Sequence, residues 1–181
     1  MTALLPAAPT PARTTPASTS ATALTAALLA AAEGWLPRVE YRGDSRWTGL
    51  LPPDEAAALL DPSLHDDLAA AQVWLLTWLP GQGTPLHDHG GSAGAFALVG
   101  GVLTEDVVGG RPGAVREAAT ELEAGRVRPF GAHHVHRVTN RGTLPAVSVH
   151  AYTPRLSLMN RYRLQDGTLL RTGTEQAGVD W

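Results

Sequence analysis

Residues 72–100 read QVWLLTWLPGQGTPLHDHGGSAGAFALVG, and this stretch decides the fold. VWLLTWLP at 73–80 is an apolar run closed by Pro80 and Gly81, and a second run, GAFALVG, fills 94–100. Short segments rich in Val, Leu, Trp and Thr and bounded by Gly and Pro read as buried strands. The same texture continues downstream, with strands expected near 84–89, 102–108, 114–118, 126–130, 134–139, 145–153, 159–164 and 168–172. Turn signals every 8–12 residues or so are the mark of an all-β sandwich or barrel. The expected fold class is therefore mainly β, with the barrel spanning about 72–172.

Upstream the texture differs. ATALTAALLAAAE at 21–33 is built of strong helix formers, and Gly34 supplies a stop. A second helix is expected at 53–60, where Asp54 and Glu55 favour the positive end of the helix dipole, and a third at 61–68. Residues 1–20, MTALLPAAPTPARTTPASTS, cannot bury enough surface to offset their chain entropy and read as a disordered leader. The expected organisation is that leader followed by one domain over 21–181, helical from 21 to 70.

The chain has 181 residues, and Lys plus Arg against Asp plus Glu gives a net charge of −3. Without a basic run there is no electrostatic footprint for nucleic acid or an anionic membrane. Zero cysteines exclude disulfides, thiolate metal sites and Cys nucleophiles, leaving seven histidines as the main candidate ligands. With neither a secretory signal pattern nor a long apolar span, a cytoplasmic protein is expected.

Three constellations carry chemistry. In His87-Asp88-His89, residues two apart on a strand share a face, so both imidazoles can reach one ion while Asp88 points away. Alone, the pair also fits a polar loop. In His133-His134-Val135-His136, the side chains of His134 and His136 share a face and offer a third ligand; the plain alternative is a polar edge strand, and His133 is expected to do nothing specific. In AVSVHAY at 146–152, Val147, Val149 and Ala151 face one way and Ser148, His150 and Tyr152 the other. That polar row is either wet or the lining of a hydrogen-bonded interior cavity.

Gly81-x5-His87-x-His89 with Gly100 downstream resembles the first cupin motif, and His136-x3-Asn140 resembles the end of the second. Cupins ordinarily place a glutamate four or five residues after the second histidine, where this chain has Ala93 and Gly94. That absence, together with LHDHG, LTE at 103–105, HRVTN at 136–140 and the S-x-H-x-Y row before Thr153-Pro154, resembles the cysteine dioxygenase family of thiol dioxygenases over roughly residues 72–164. The resemblance implies a cupin (jelly-roll) β-barrel in which His87, His89 and His136 hold one iron(II), Fe(2+). It also implies that Ser148, His150 and Tyr152 form a hydrogen-bonded row with the tyrosine hydroxyl at the substrate. The implied partners are a small thiol and O2, with L-cysteine converted to its sulfinate. Three neutral imidazoles suit a first-row divalent metal, and omitting a carboxylate keeps the site at +2 for an anionic thiolate.

Two departures matter. Mammalian members of the family carry a cysteine cross-linked to the tyrosine, where this chain has Gly94. The family also holds the substrate carboxylate with an arginine upstream of the barrel; the nearest counterpart is Arg46 in RWTGL, although the register puts Gly49 at that place, with Arg42 and Arg155 as alternatives. A displaced arginine predicts a weaker preference for carboxylate-bearing thiols than the family shows. His65, among Asp66 and Asp67, reads as solvated, and the five tryptophans read as core or rim. The competing readings are a metal-binding or ligand-sensing cupin without catalysis, and a dioxygenase for another thiol such as 3-mercaptopropionate; the Ser148-His150-Tyr152 row speaks for an enzyme.

Overall fold

A computed structural model describes residues 16–111, 113–177 and 179–180. The chain is mainly β, and its described residues form eleven strands in two antiparallel sheets that make the cupin barrel. One sheet has five strands in the order β1 (Thr48–Leu51), β2 (Gln72–Trp78), β9 (Ala146–Thr153), β4 (Ala93–Gly100), β7 (Val127–Phe130). The other has six, ordered β11 (Thr168–Gln176), β10 (Leu158–Gln165), β3 (Leu86–His87), β8 (His136–Thr139), β5 (Val102–Gly109), β6 (Arg116–Glu123).

Alternation along the five-stranded sheet sorts its side chains into two cores. Val73 and Leu75 of β2, Ala95 and Ala97 of β4, and Val147, Val149 and Ala151 of β9 face outward into a core shared with the helices. Leu76, Trp78, Phe96, Leu98 and Tyr152 face the barrel interior, where they meet Leu103, Phe130 and Val138. These outward positions on the three central strands are therefore shielded from water. Helix α1 (Pro16–Ala30) lies across it with Ala21, Leu24, Thr25 and Leu28 all at 0% exposure, a stripe at helical spacing. Alanines at 95 and 97 let the helix approach closely enough for Thr25 Oγ1 to donate to Ala95 O at 3.1 Å. At the end of α2 (Ala32–Trp35), the Trp35 indole folds back to donate to Leu28 O at 2.8 Å.

The helical part differs from the sequence expectation at its start. Helix α1 begins at Pro16, so residues 16–20 of the expected leader are helical, while 1–15 lie outside the described residues. Proline is tolerated in a first helical turn, and docking of the apolar stripe extends the helix past the point where propensity alone would start it. The expected helix at 53–60 is α3 (Pro53–Leu59), and the expected one at 61–68 is a 3₁₀ turn at Pro62–Leu64 followed by α4 (His65–Ala70). Strand β1, four residues including Gly49, carries no readable alternation and exists because β2 offers it a free edge. Strand β6, REAATELE, runs to Glu123, five residues beyond the expected end, by pairing along the whole of β5. Among the described residues no helix is long and apolar enough to cross a membrane.

If α1 is an integral layer of the core, Leu28→Ala should cost about 2–5 kcal/mol, as for other fully buried leucines. Chemical denaturation would read this as a lowered midpoint at unchanged slope; an unmoved midpoint would mean that α1 is dispensable.

Candidate metal centre

Strand β3 is only two residues long, yet it fixes the site. His87 pairs across the sheet with His136 of β8 on one side and with Arg161 of β10 on the other. The strand ends at His87, so His89 is placed by a turn and not by strand alternation. Asp88 anchors that turn: its carboxylate accepts from Gly90 N at 2.9 Å, from Asn160 Nδ2 at 2.9 Å and from Tyr162 Oη at 2.7 Å. Gly90 has φ +58°, and a Cβ there would stand 2.3 Å from Leu158 Cδ1, so only glycine fits.

The three imidazoles converge inside the barrel, with one nitrogen of each within 4.8 Å of the others. Ring centroids are 4.9 Å apart for His87 and His89, 4.9 Å for His87 and His136, and 5.2 Å for His89 and His136. Burial is the largest cause holding all three below the usual histidine pKa, His87 at about 3. They are therefore neutral at physiological pH, as ligands must be. His87 Nδ1 donates to Pro85 O at 2.9 Å and His136 Nδ1 to Glu105 Oε1 at 2.7 Å, so each ring presents Nε2 to the centre. His89 Nδ1 is buried with no hydrogen-bond partner, and its ring stacks on Phe130 at 4.6 Å. A convergent set of neutral, buried, oriented imidazoles fits a divalent first-row metal.

The polar face of β9 lines the same interior. The Trp78 indole donates to Ser148 Oγ at 2.8 Å, Ser148 Oγ lies 2.8 Å from His150 Nε2, and His150 Nδ1 lies 3.4 Å from Tyr152 Oη. In one arrangement the serine donates to Nε2 and Nδ1–H donates to Tyr152, which uses all three contacts of the row and leaves only the tyrosine proton to point elsewhere. Burial holds His150 neutral, and Phe96 stacks on its ring at 5.0 Å. Burial also raises the Tyr152 pKa, with Arg46 opposing it, so the phenol keeps its proton.

Arg46 enters a cavity of about 440 Å³ that is also lined by His87, His136, His150, Tyr152 and Arg161. Its Nη1 donates to Gly83 O at 3.0 Å and its guanidinium lies 4.7 Å above the Trp78 ring, while Nε is buried without a partner. The alternatives do not reach this cavity: Arg42 is exposed and pairs with Glu40, and Arg155 donates to Ala69 O from an exposed position. Although Gly49, on β1, is the register match for the family arginine, the segment before β1 carries Arg46 over Trp78 and into the cavity.

Sequence reasoning assigns no role to Arg161, which the β10–β3 register places beside His87, and leaves Trp78 as plain core although its indole is a donor to the β9 row. It also passes over Glu105, which appears there only as the last residue of the LTE motif. The signal is present: Leu103 and Glu105 alternate onto the interior face of β5, so a carboxylate has to lie inside the barrel. Burial alone would raise the Glu105 pKa, but donation from His134, His136 and Arg128 takes it well below the usual carboxylate range. His134 commits Nε2 to Glu105 at 2.9 Å, and His133 and His65 are exposed and away from the centre, His65 Nε2 lying 3.2 Å from Ala57 O.

The family model for cysteine dioxygenase type I matches residues 67–165. The chain belongs to the cysteine dioxygenase type I family. No curated protein matches the sequence. Among solved structures, oxalate oxidase in complex with the substrate analogue glycolate is 15% identical with TM-score 0.49, covering 62% of this chain and 53% of its own. This chain therefore spans about half the length of that protein. A double-stranded β-helix domain from Klebsiella pneumoniae is 18% identical with TM-score 0.48, covering 68% and 86%, and the protein TT1209 from Thermus thermophilus is 22% identical with TM-score 0.45, covering 66% and 94%. Family membership and the histidine cluster make the chain a cupin metal-dependent enzyme. Gly94, at the position where the resemblance places the cross-linking cysteine of mammalian members, pairs with Tyr152 across β4 and β9. A Cβ there would stand 2.4 Å from Phe130 Cζ and 2.6 Å from Ala151 O, so Phe130 occupies the space a cysteine side chain would need.

Replacing His87, His89 or His136 by Ala should each remove most bound metal, whereas His133→Ala and His65→Ala should retain it. Elemental analysis of the five purified variants decides this, and full occupancy in His136→Ala would end the three-histidine assignment.

Proposed function

We propose that the protein is an iron-dependent thiol dioxygenase that adds both atoms of O2 to the sulfur of a small carboxylate-bearing thiol, converting L-cysteine to cysteine sulfinate. The observation that carries this reading is one cavity onto which His87 and His136 of the metal set, the protonated Tyr152 and the guanidinium of Arg46 all open. The reaction balances as RSH + O2 → RSO2H: sulfur loses four electrons and O2 gains them. Iron(II) held by His87, His89 and His136 would supply the redox centre that a closed-shell thiol and O2 lack by themselves.

The remaining work falls to the chain. Arg46 binds the carboxylate, and its buried, unpaired Nε is a donor that such an anion would satisfy. Three neutral ligands leave the centre cationic, which favours the thiolate over the thiol. Tyr152 keeps its proton and offers it as a hydrogen-bond donor at the reacting end of the cavity, its oxygen held from behind by His150. Leu76, Val138, Leu156 and Met159 line the remaining wall and exclude water. A reducing cytoplasm would keep the substrate thiol free, in keeping with a chain that itself has no cysteine.

A second choice of thiol is favoured by the acidic groups of the cavity. Glu175 is paired with Arg161, so its charge is already answered before the ammonium of cysteine arrives, and one oxygen of Asp180 is engaged by Gln176 N. 3-Mercaptopropionate carries the carboxylate alone and suits the same cation.

Oxygen uptake by the iron-loaded protein, with cysteine, 3-mercaptopropionate and cysteamine in parallel, tests the reading. With Arg46 in the cavity, the carboxylate thiols should be preferred over cysteamine by roughly 100-fold, the worth of a bidentate charge-assisted contact. Arg46→Ala should remove that preference by raising KM; a preference that survives moves the role to Arg161. Absence of sulfinate from all three thiols would leave the non-catalytic cupin.

Tyr152→Phe should retain iron and lower turnover by about 10- to 1,000-fold through loss of one hydrogen bond. Unchanged turnover would make the β9 row purely structural.

A further inference from the structure

Glu105 is a fully buried carboxylate behind the metal histidines, and three donors from different parts of the fold converge on it. Oε1 accepts from His136 Nδ1 at 2.7 Å and from His134 Nε2 at 2.9 Å, and Oε2 accepts from Arg128 Nε at 2.7 Å. His136 opens β8 in the same sheet as Glu105, whereas Arg128 comes from β7 in the opposite sheet. A carboxylate bound to the far nitrogen of a ligating imidazole fixes the ring's tautomer and raises its basicity. Simple core filling does not need this residue: the preceding interior position on β5 is Leu103, and an apolar side chain would pack without demanding three donors. Nor is the charge sealed off, because the Arg128 side chain is 40% exposed while that of Glu105 is at 0%.

We propose that Glu105 is a positioning residue that delivers, through His136, the negative charge that a three-histidine centre lacks, and that Arg128 offsets part of that charge from the barrel surface. The cupin carboxylate missing at Ala93 and Gly94 is thus replaced by one behind a ligand: it strengthens metal binding without occupying a coordination position. This rests on the three histidines being the metal site and is independent of which thiol is oxidised.

The test compares Glu105→Gln with Arg128→Gln. Glu105→Gln keeps the volume and an acceptor for His136 but removes the charge. Anaerobic titration with ferrous iron against a competing chelator should show affinity lowered about 10- to 100-fold, and the ferric/ferrous midpoint of the loaded protein should rise. Arg128→Gln should move the midpoint the opposite way and leave iron affinity equal or tighter. A tenfold change in the ferric-to-ferrous affinity ratio reads as about 59 mV for one electron. Unchanged affinity and midpoint in Glu105→Gln would overturn the proposal, as would shifts of the same sign in both variants, which loosened packing produces. A wild-type protein that binds no ferrous iron would overturn it together with the three-histidine site. Both measurements are made without thiol, so failure of the dioxygenase reading shows in oxygen uptake and not here.

Discussion

Strand β9 has no solvent-facing side, and much of the molecule follows from satisfying both of its faces. Val147, Val149 and Ala151 need apolar cover, which α1 provides through Ala21, Leu24 and Leu28. Ser148, His150 and Tyr152 are equally buried and need hydrogen-bond partners, because an unsatisfied polar group in such an interior costs more than the bond is worth when made. The Trp78 indole starts the chain of donors and Tyr152 ends it. A strand whose interior face is polar, buried and internally hydrogen-bonded is suited to border a reactive centre, since its polar groups already have fixed partners.

Charge is distributed on the same economical plan. The three histidines are neutral, so a divalent ion held by them would keep its full charge on the cavity side, while Glu105 stands on the far side of His136. Arg46 adds a second cation to the cavity. Under the proposed function the substrate brings two anionic groups, a thiolate and a carboxylate, and the two cationic features match them in number. Arg161 is largely answered by Glu175 and contributes less net charge, which singles out Arg46 as the unanswered one.

What the sequence made legible was local. The spacings of His87 with His89, of His136 with Asn140, and of Ser148, His150 and Tyr152 follow from period-two alternation and short turns, and the barrel follows from the regular placing of Gly and Pro. What it hid depends on pairing between distant segments. Arg161 reaches the centre because β10 pairs with β3, and Trp78 becomes a donor because β2 lies beside β9. Arg46 precedes a strand too short to show a pattern, and its approach to Gly83 spans 37 residues of sequence. Alternation predicts His89 on a strand, but Asp88 holds it in a turn through Asn160 and Tyr162, partners more than 70 residues away. Glu105 is the one long-range participant with a local sign, a charge on the interior phase of an otherwise ordinary strand.

Gly94 joins these points. The position faces Tyr152 across the ladder, next to where a cupin glutamate would approach the metal and where mammalian relatives place their cross-linking cysteine. Phe130 takes that space, stacks on His89 at 4.6 Å and packs 5.9 Å from the Tyr152 ring. One aromatic side chain thus stands where a carboxylate ligand or a thioether partner would lie, and it braces the histidine that has no hydrogen bond of its own. Without a covalent tether, Tyr152 is held by ring packing and by a 3.4 Å contact to His150, so its hydroxyl depends on the whole Trp78–Ser148–His150 row being intact. The negative charge excluded from the metal by this packing then has to come from elsewhere in the barrel, and the described interior offers it at Glu105.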